Sequence, residues 1–168
     1  EPIISPGKDM VLGVYYLTME DPFNYKGEGS VFGSIDEVVL AFELEKVEVH
    51  TNINLRAKTW YGEDGSRLDE PETRMVKTTV GRALFNDILP SEVIFVNETL
   101  DKGGVKDLIA DVYEICGQEV TTDVADGIKT IGFEYAMRSG VTVAISDITV
   151  PESKKEILKE SLQEVELV

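Results

Sequence analysis

Cysteine and histidine occur once each, as Cys116 and His50, in a chain of 168 residues. A single thiol excludes a disulfide framework, and one thiol with one imidazole cannot assemble a Cys/His zinc cluster. The same scarcity argues against a nucleophile of the Ser-His or Cys-His kind, since Cys116 falls on an apolar helical face. No run of about 18 apolar residues exists that would span a membrane. The opening Glu1-Pro-Ile-Ile-Ser-Pro6 has neither the basic start nor the apolar core of a signal peptide. These absences predict a soluble, cytoplasmic chain with no membrane partner, in which the sequon Asn97-Glu98-Thr99 is a chance match. Positive charge is also scarce. Sixteen Lys and Arg stand against 32 Asp and Glu, a net charge of −16, which opposes gripping a phosphate backbone by counterion release. Only residues 51–100 approach neutrality, with 6 basic and 8 acidic groups.

What is present reads as one α+β domain, a small antiparallel sheet with several helices. After the extended Pro2 to Pro6, Asp9 is placed to cap a short, nearly all-apolar and hence buried segment through Thr18. Met19 to Gly33, with Pro22, Gly27 and Gly29, reads as a loop. Ser34-Ile-Asp-Glu37 is a capping box, followed by a stripe of Val38, Leu40, Ala41, Leu44 and Val47 that predicts a helix to about Lys46. The period then falls to two: Val49, Thr51, Ile53, Leu55, Ala57 and Thr59 predict a half-buried strand. A polar turn around Asp64-Gly65 precedes a second strand, from about Arg74 to Leu89. The last third is helical. Val105, Leu108, Ile109, Val112, Ile115 and Cys116 form one face up to the stop at Gly117. Thr122 with Asp123 starts another helix, with Val124, Ile128, Ile131 and Tyr135 on a face that runs to Gly140. A short strand from Val141 to Ile145 follows. Ser153-Lys-Lys-Glu156 is a second capping box, opening a helix whose stripe of Ile157, Leu158, Leu162 and Val165 is still running at Val168.

The residues offer no catalytic apparatus and no cofactor or metal site. Gly27-Glu-Gly-Ser-Val-Phe-Gly33 is one residue too long for a dinucleotide fingerprint and lacks a leading strand. The carboxylates form no Asp-x-Asp-x-Asp cluster, and Glu63-Asp64 and Asp69-Glu70 read as solvated turn residues. Charges do stand where local packing alone does not require them: Lys8-Asp9 beside a buried segment, Arg82 in an otherwise apolar strand, and Arg138-Ser139 at a helix end. The Lys-started helix at Ser153 is the fourth such feature.

Three distant stretches spell a longer phrase: Ser5-Pro-Gly-Lys-Asp-Met-Val-Leu-Gly-Val-Tyr-Tyr-Leu-Thr18, Thr78-Thr-Val-Gly-Arg-Ala-Leu-Phe-Asn-Asp-Ile-Leu-Pro90 and Arg138-Ser-Gly-Val-Thr-Val-Ala-Ile-Ser-Asp-Ile-Thr-Val-Pro151. Their order and spacing resemble the largest subunit of the multisubunit DNA-dependent RNA polymerases, and in particular bacterial β′ beyond its catalytic loop. Lys26-Gly-Glu-Gly29 and Glu48-Val-His50 extend the resemblance. Pro6, Asp9 and Val11-Leu-Gly13 match the phrase Pro-Ser-Gln-Asp-x-Val-Leu-Gly, with Gly7 and Lys8 departing from it. Ser139-Gly140 and Asp147 match a second phrase, in which Ala144 and Ser146 replace a Gly and an Asp.

The resemblance implies a fragment of β′, with residues 1–152 forming the pore domain that walls the secondary, nucleotide-entry channel. Residues 153–168 would begin a helical hairpin at the channel rim, here truncated. Lys8, Asp9, Arg82, Arg138 and Asp147 become candidates to line the channel. Lys154, Lys155, Ile157 and Leu158 become candidates for docking transcript-cleavage and other channel regulators. Implied partners are the β, α and ω subunits and the rest of β′, with nucleotides and the RNA 3′ end reached only in the assembled enzyme. The Mg²⁺ of that enzyme would be held upstream, so the fragment alone is expected to be an inactive part of a nucleotidyltransferase. The rival expectation is an autonomous acidic module that binds a protein and belongs to no polymerase.

Overall fold

The computed structural model describes residues 7–61 and 67–140. In chain order these form α1 (Lys8–Thr18), β1 (Val31–Phe32), α2 (Ile35–Glu43), β2 (Asn52–Tyr61), β3 (Arg67–Thr79), α3 (Val80–Asp87) and α4 (Lys102–Ser139). The α+β expectation holds, and the sheet is mixed rather than purely antiparallel. β2 and β3 pair antiparallel from Asn52↔Thr79 to Tyr61↔Arg67, with an irregularity after Thr59. β1 adds to the other side of β2 in parallel, Val31 opposite Asn54. The loop before β1 makes this possible, because Gly27 and Gly29 adopt φ of 83° and 77°, a region that costs glycine little. The turn they build lets Gly29 N donate to Asn52 O at 2.8 Å and Asn54 N donate to Ser30 O at 2.8 Å.

Along β2 the period-two pattern does what it predicts. Ile53, Leu55, Ala57 and Thr59 are buried, whereas Asn52, Arg56 and Lys58 are exposed. The strand starts at Asn52, later than expected, because Thr51 N turns back to Glu48 O. β3 ends ten residues before the expected Leu89. Thr79 caps a helix there, its Oγ1 accepting from Arg82 N at 3.3 Å, and the mostly apolar stretch that follows, interrupted by Arg82, reads equally as strand or buried helix. Seven of the eight residues of α3 are buried, so the helix is core throughout. Gly81 is obligatory at its start, since a Cβ would lie 1.9 Å from Leu17 O.

The helices differ from expectation at their ends. Gly7, not Asp9, occupies the N-cap of α1, and no side chain caps it; Asp9 sits in the first turn, where its charge favours the helix dipole. α1 is buried on one side only, through Gly13, Val14, Leu17 and Thr18. Ser34 caps α2 as expected, accepting from Glu37 N at 3.4 Å. Glu37 answers by accepting from Gly33 N at 2.6 Å. That helix stops at Glu43, and Glu45 takes a positive φ of 52° to leave it; Leu40 and Leu44 of the expected inner stripe stand exposed.

α4 is capped by Asp101, which accepts from Gly104 N at 2.8 Å, and it breaks at Gly117 with φ 78° and ψ −178°. The expected stop is therefore present. The second half resumes at once at 118, earlier than the expected start at Thr122, and Thr121 Oγ1 donates back to Gly117 O at 2.7 Å. Val124, Ile128 and Tyr135 are buried, and Gly140 ends the helix at φ 60°. α1 crosses α4 at glycines: a Cβ on Gly13 would lie 1.7 Å from Gly132 O, and one on Gly132 would lie 2.7 Å from Met10 O. Val14, Leu17, Val38, Leu55, Phe85 and Val112 are all fully buried in the single core that these elements share. The expected strand at 141–145 and helix at 153–168 lie outside the described residues.

Candidate functional site

Among the described residues Arg82 gathers partners from distant parts of the chain. It lies on α3 and only 5% of it is exposed, which corrects its expected place in a strand. Its Nε donates to Thr18 O at 2.9 Å. One terminal nitrogen, Nη1, reaches Glu20 Oε1 at 2.7 Å and Asn97 Oδ1 at 3.4 Å, and Nη2 reaches Thr99 Oγ1 at 3.3 Å. The planar guanidinium suits this task, because its donors diverge in a fixed fork. One cation thereby ties the end of α1, the loop after it, α3 and the irregular segment before α4.

Neighbouring amides and hydroxyls complete the junction. Asn86 donates to Arg82 O and Val96 O at 2.8 Å and accepts from Val96 N at 2.8 Å. Thr18 Oγ1 accepts from Leu100 N at 2.9 Å while donating to Val14 O. Sequence pattern missed these partners because they come from positions 18, 20, 97 and 99, far from Arg82. The local signal that was available is Thr79 three residues before Arg82, an N-cap spacing.

Lys8, Asp9 and Arg138 are all exposed. The first two open α1, and Arg138 stands in the last turn of α4, where a cation suits the helix dipole. Arg138 pairs with Glu134 at 2.8 Å and lies 5.3 Å from the centre of the Tyr135 ring. Burial pushes the Tyr135 phenol up, with Arg138 opposing. The glycine crossing between Gly13 and Gly132 joins the two helices that carry these charges. Asp147, Lys154, Lys155, Ile157 and Leu158 lie outside the described residues.

A second buried polar group behaves oppositely to Arg82. His50 is 5% exposed, and among the described residues neither ring nitrogen meets a partner at full hydrogen-bond geometry, the Met19 backbone offering only a weak contact. Tyr16 meets its ring edge-on at 4.7 Å between centres, and Tyr25 is tilted at 5.8 Å. Burial lowers its pKa, opposed by the Met19 backbone and Asp21. Tyr25 donates to Asp21 Oδ2 at 2.8 Å, and that bond, with burial second, pushes its phenol up to about 12.

Among the described residues no three or more His, Cys, Asp or Glu converge to hold a metal. Among them, too, no helix is long and apolar enough to cross a membrane. An open groove of about 1120 Å³ runs beside Trp60, Arg74, Met75, Phe95, Leu108 and Ile115, and it brings together none of the sequence candidates.

Comparison with known proteins bears on the whole chain. The family model described as RNA polymerase Rpb1, domain 3 matches residues 1–148. The chain is 39% identical over all 168 residues to the DNA-directed RNA polymerase subunit beta′ of Sulfurihydrogenibium sp., covering 10% of that protein. It is 40% identical over 167 residues to the subunit beta′ of Pelotomaculum thermopropionicum, covering 13% of it and 99% of this chain. With Aquifex aeolicus beta′ the identity is 37% over 166 residues, 99% of this chain and 10% of the relative. The chain thus spans about a tenth of the length of the curated relatives it matches.

Proposed function

The chain belongs to the RNA polymerase Rpb1 domain 3 family, as a fragment of the β′ kind, and from that premise we propose that it walls the secondary channel through which nucleotides reach the active centre. The observation that carries this reading is the match to β′ subunits from one end of the chain to the other. The fold offers a physical basis for such a wall. Arg82 and the glycine crossing make the interior rigid, while Lys8, Asp9 and Arg138 are left at the surface. Cations at that surface attract anionic nucleotides locally within an acidic surround.

Arg82 serves this role from inside, by holding α1 and α3 together, rather than by facing a channel. Asp147 remains a lining candidate, and Lys154, Lys155, Ile157 and Leu158 remain docking candidates for regulators, on the resemblance alone. In the assembled cytoplasmic enzyme the partners would be the β, α and ω subunits and the rest of β′. The Mg²⁺ implied for that enzyme finds no fit among the described residues, where no set of three candidate ligands converges; no step of nucleotide transfer is assigned to them.

A photoreactive nucleoside triphosphate tests the reading. In the complete polymerase it should label peptides containing Lys8 or Arg138, and unlabelled nucleotide should compete. Labelling confined to peptides outside residues 1–152 would contradict the channel-wall role.

A further inference from the structure

The outer face of α2 carries apolar side chains that the fold leaves uncovered. Leu40 and Leu44 are 55% and 58% exposed and stand one turn apart on the same side of the helix, whereas Val38 on the inner side is fully buried. The charge along this face is mainly acidic, with Lys46 and Lys26, whose ammonium donates to Glu45 O at 2.6 Å, only at its C-terminal edge. Asp36 lies in the first turn of α2 and Glu43 in the last, with no basic residue in that last turn. Asp87 comes from α3, and burial followed by the nearby Asp36 raises its carboxyl above the usual range. Among the described residues none of the ion pairs involves Asp36, Glu43 or Asp87. Glu43 also faces the negative end of the helix dipole. Exposed leucines and uncompensated carboxylates are both relieved by one kind of occupant, an apolar stripe flanked by cations.

We propose that the α2 face is the docking surface for a basic amphipathic helix elsewhere in the polymerase. Its apolar side seats on Leu40 and Leu44, and its Lys or Arg side chains meet Asp36, Glu43 and Asp87. The proposal rests on the family assignment, since the chain is only a tenth of a β′ subunit and the remainder of the machine supplies the partner. Two other occupants are poor matches in charge. Residues 141–168 of this chain carry 3 basic and 6 acidic groups, and a second copy would bring the same anionic α2. Complementary rim charge is what selects among partners of similar apolar shape.

The test places the photo-crosslinking residue p-benzoylphenylalanine at Leu44, and separately at Leu40, in the complete polymerase, with the linked peptide read by mass spectrometry. The expected product is one polymerase segment with helical apolar spacing and several Lys or Arg. Combining the probe with Asp36→Lys and Glu43→Lys should cut its yield about ten-fold, as like charge replaces opposite charge. Three results overturn the proposal: a link to an acidic or neutral segment, a link to residues 141–168 or to a second copy, or a yield insensitive to charge reversal. The absence of any link from either position in a polymerase that transcribes normally contradicts the docking surface alone. Failure of the chain to enter the polymerase at all contradicts the family assignment, and the proposal with it.

Discussion

Arg82 and Arg138 carry the same guanidinium and work in opposite surroundings. Arg82 is almost wholly enclosed, and its donors meet a backbone carbonyl, a carboxylate, an amide and a hydroxyl from two distant stretches of the chain, Thr18 with Glu20 and Asn97 with Thr99. Arg138 is half exposed and holds one carboxylate a helical turn away on its own helix. The first fixes where elements sit. The second leaves its charge available to whatever passes the surface. Formal charge alone does not distinguish them; the number of distant partners that enclose the group does.

The largest effect that can break this contrast is Arg82→Ala. It strips charge-assisted bonds from Thr18 O, Asn97 and Thr99 and leaves a cavity, for an expected loss of about 3–4 kcal/mol. Arg82→Lys should lose about half of that, because an ammonium cannot span the fork. Arg138→Ala should cost no more than about 0.5 kcal/mol, since its ion pair is solvent-screened. Urea unfolding of the 168-residue chain measures all three, and equal losses for the two alanine variants would erase the distinction.

Gly13→Ala comes next. A methyl group directed at Gly132 O forces α1 off α4, with an expected cost of about 2–3 kcal/mol. The same thermal or urea measurement reads it, and a neutral result would mean that the crossing is looser than the structure shows.

His50 sharpens the comparison from the other side, as a buried polar group kept neutral rather than charged and partnered. Its folded-state pKa is depressed, so the stability it contributes is present above the unfolded value near 6.5 and is lost as pH falls through that value towards the folded one. The slope from this one group cannot exceed about 1.4 kcal/mol per pH unit. Tyr16 and Tyr25 pack on the ring, and the Met19 backbone and then Asp21 moderate the loss by favouring the imidazolium. Thermal unfolding between pH 8 and 5.5 should show a decline that His50→Phe flattens, and an identical decline in that variant would assign it elsewhere.

The smallest effect is expected at Glu45, a non-glycine residue in the left-handed region. Glu45→Gly should stabilise by about 0.5–1 kcal/mol, relief of backbone strain outweighing glycine's extra unfolded freedom. A destabilised variant would show that the Glu45 side chain contributes more than its backbone strain costs.

Features written in neighbouring residues were legible beforehand. Ser34 and Glu37 announced the start of α2, the alternation at Ile53, Leu55 and Ala57 announced β2, and Gly117 and Gly140 announced the break and the end of α4. α3 was not, because the mostly apolar run from Val80 to Phe85 satisfies a buried strand as well as a buried helix, and only the Thr79 cap separates them. The parallel strand β1 is two residues long and exists through hydrogen bonds to β2, so no local period reveals it. The charged candidates Lys8, Asp9 and Arg138 stand exposed at helix ends, positions that the sequence alone marks only as charges not required by local packing. Arg82 was misplaced because its partners lie up to 64 residues away.

The central claim is that a rigid interior presents an exposed cation to nucleotides entering the polymerase. The most direct measurement is the nucleotide dependence of transcription by complete polymerases carrying Arg138→Ala or Lys8→Ala. The account predicts a raised apparent KM for nucleoside triphosphates, largest at low salt, with assembly and subunit composition unchanged. Wild-type nucleotide dependence in both variants across the salt range would contradict it.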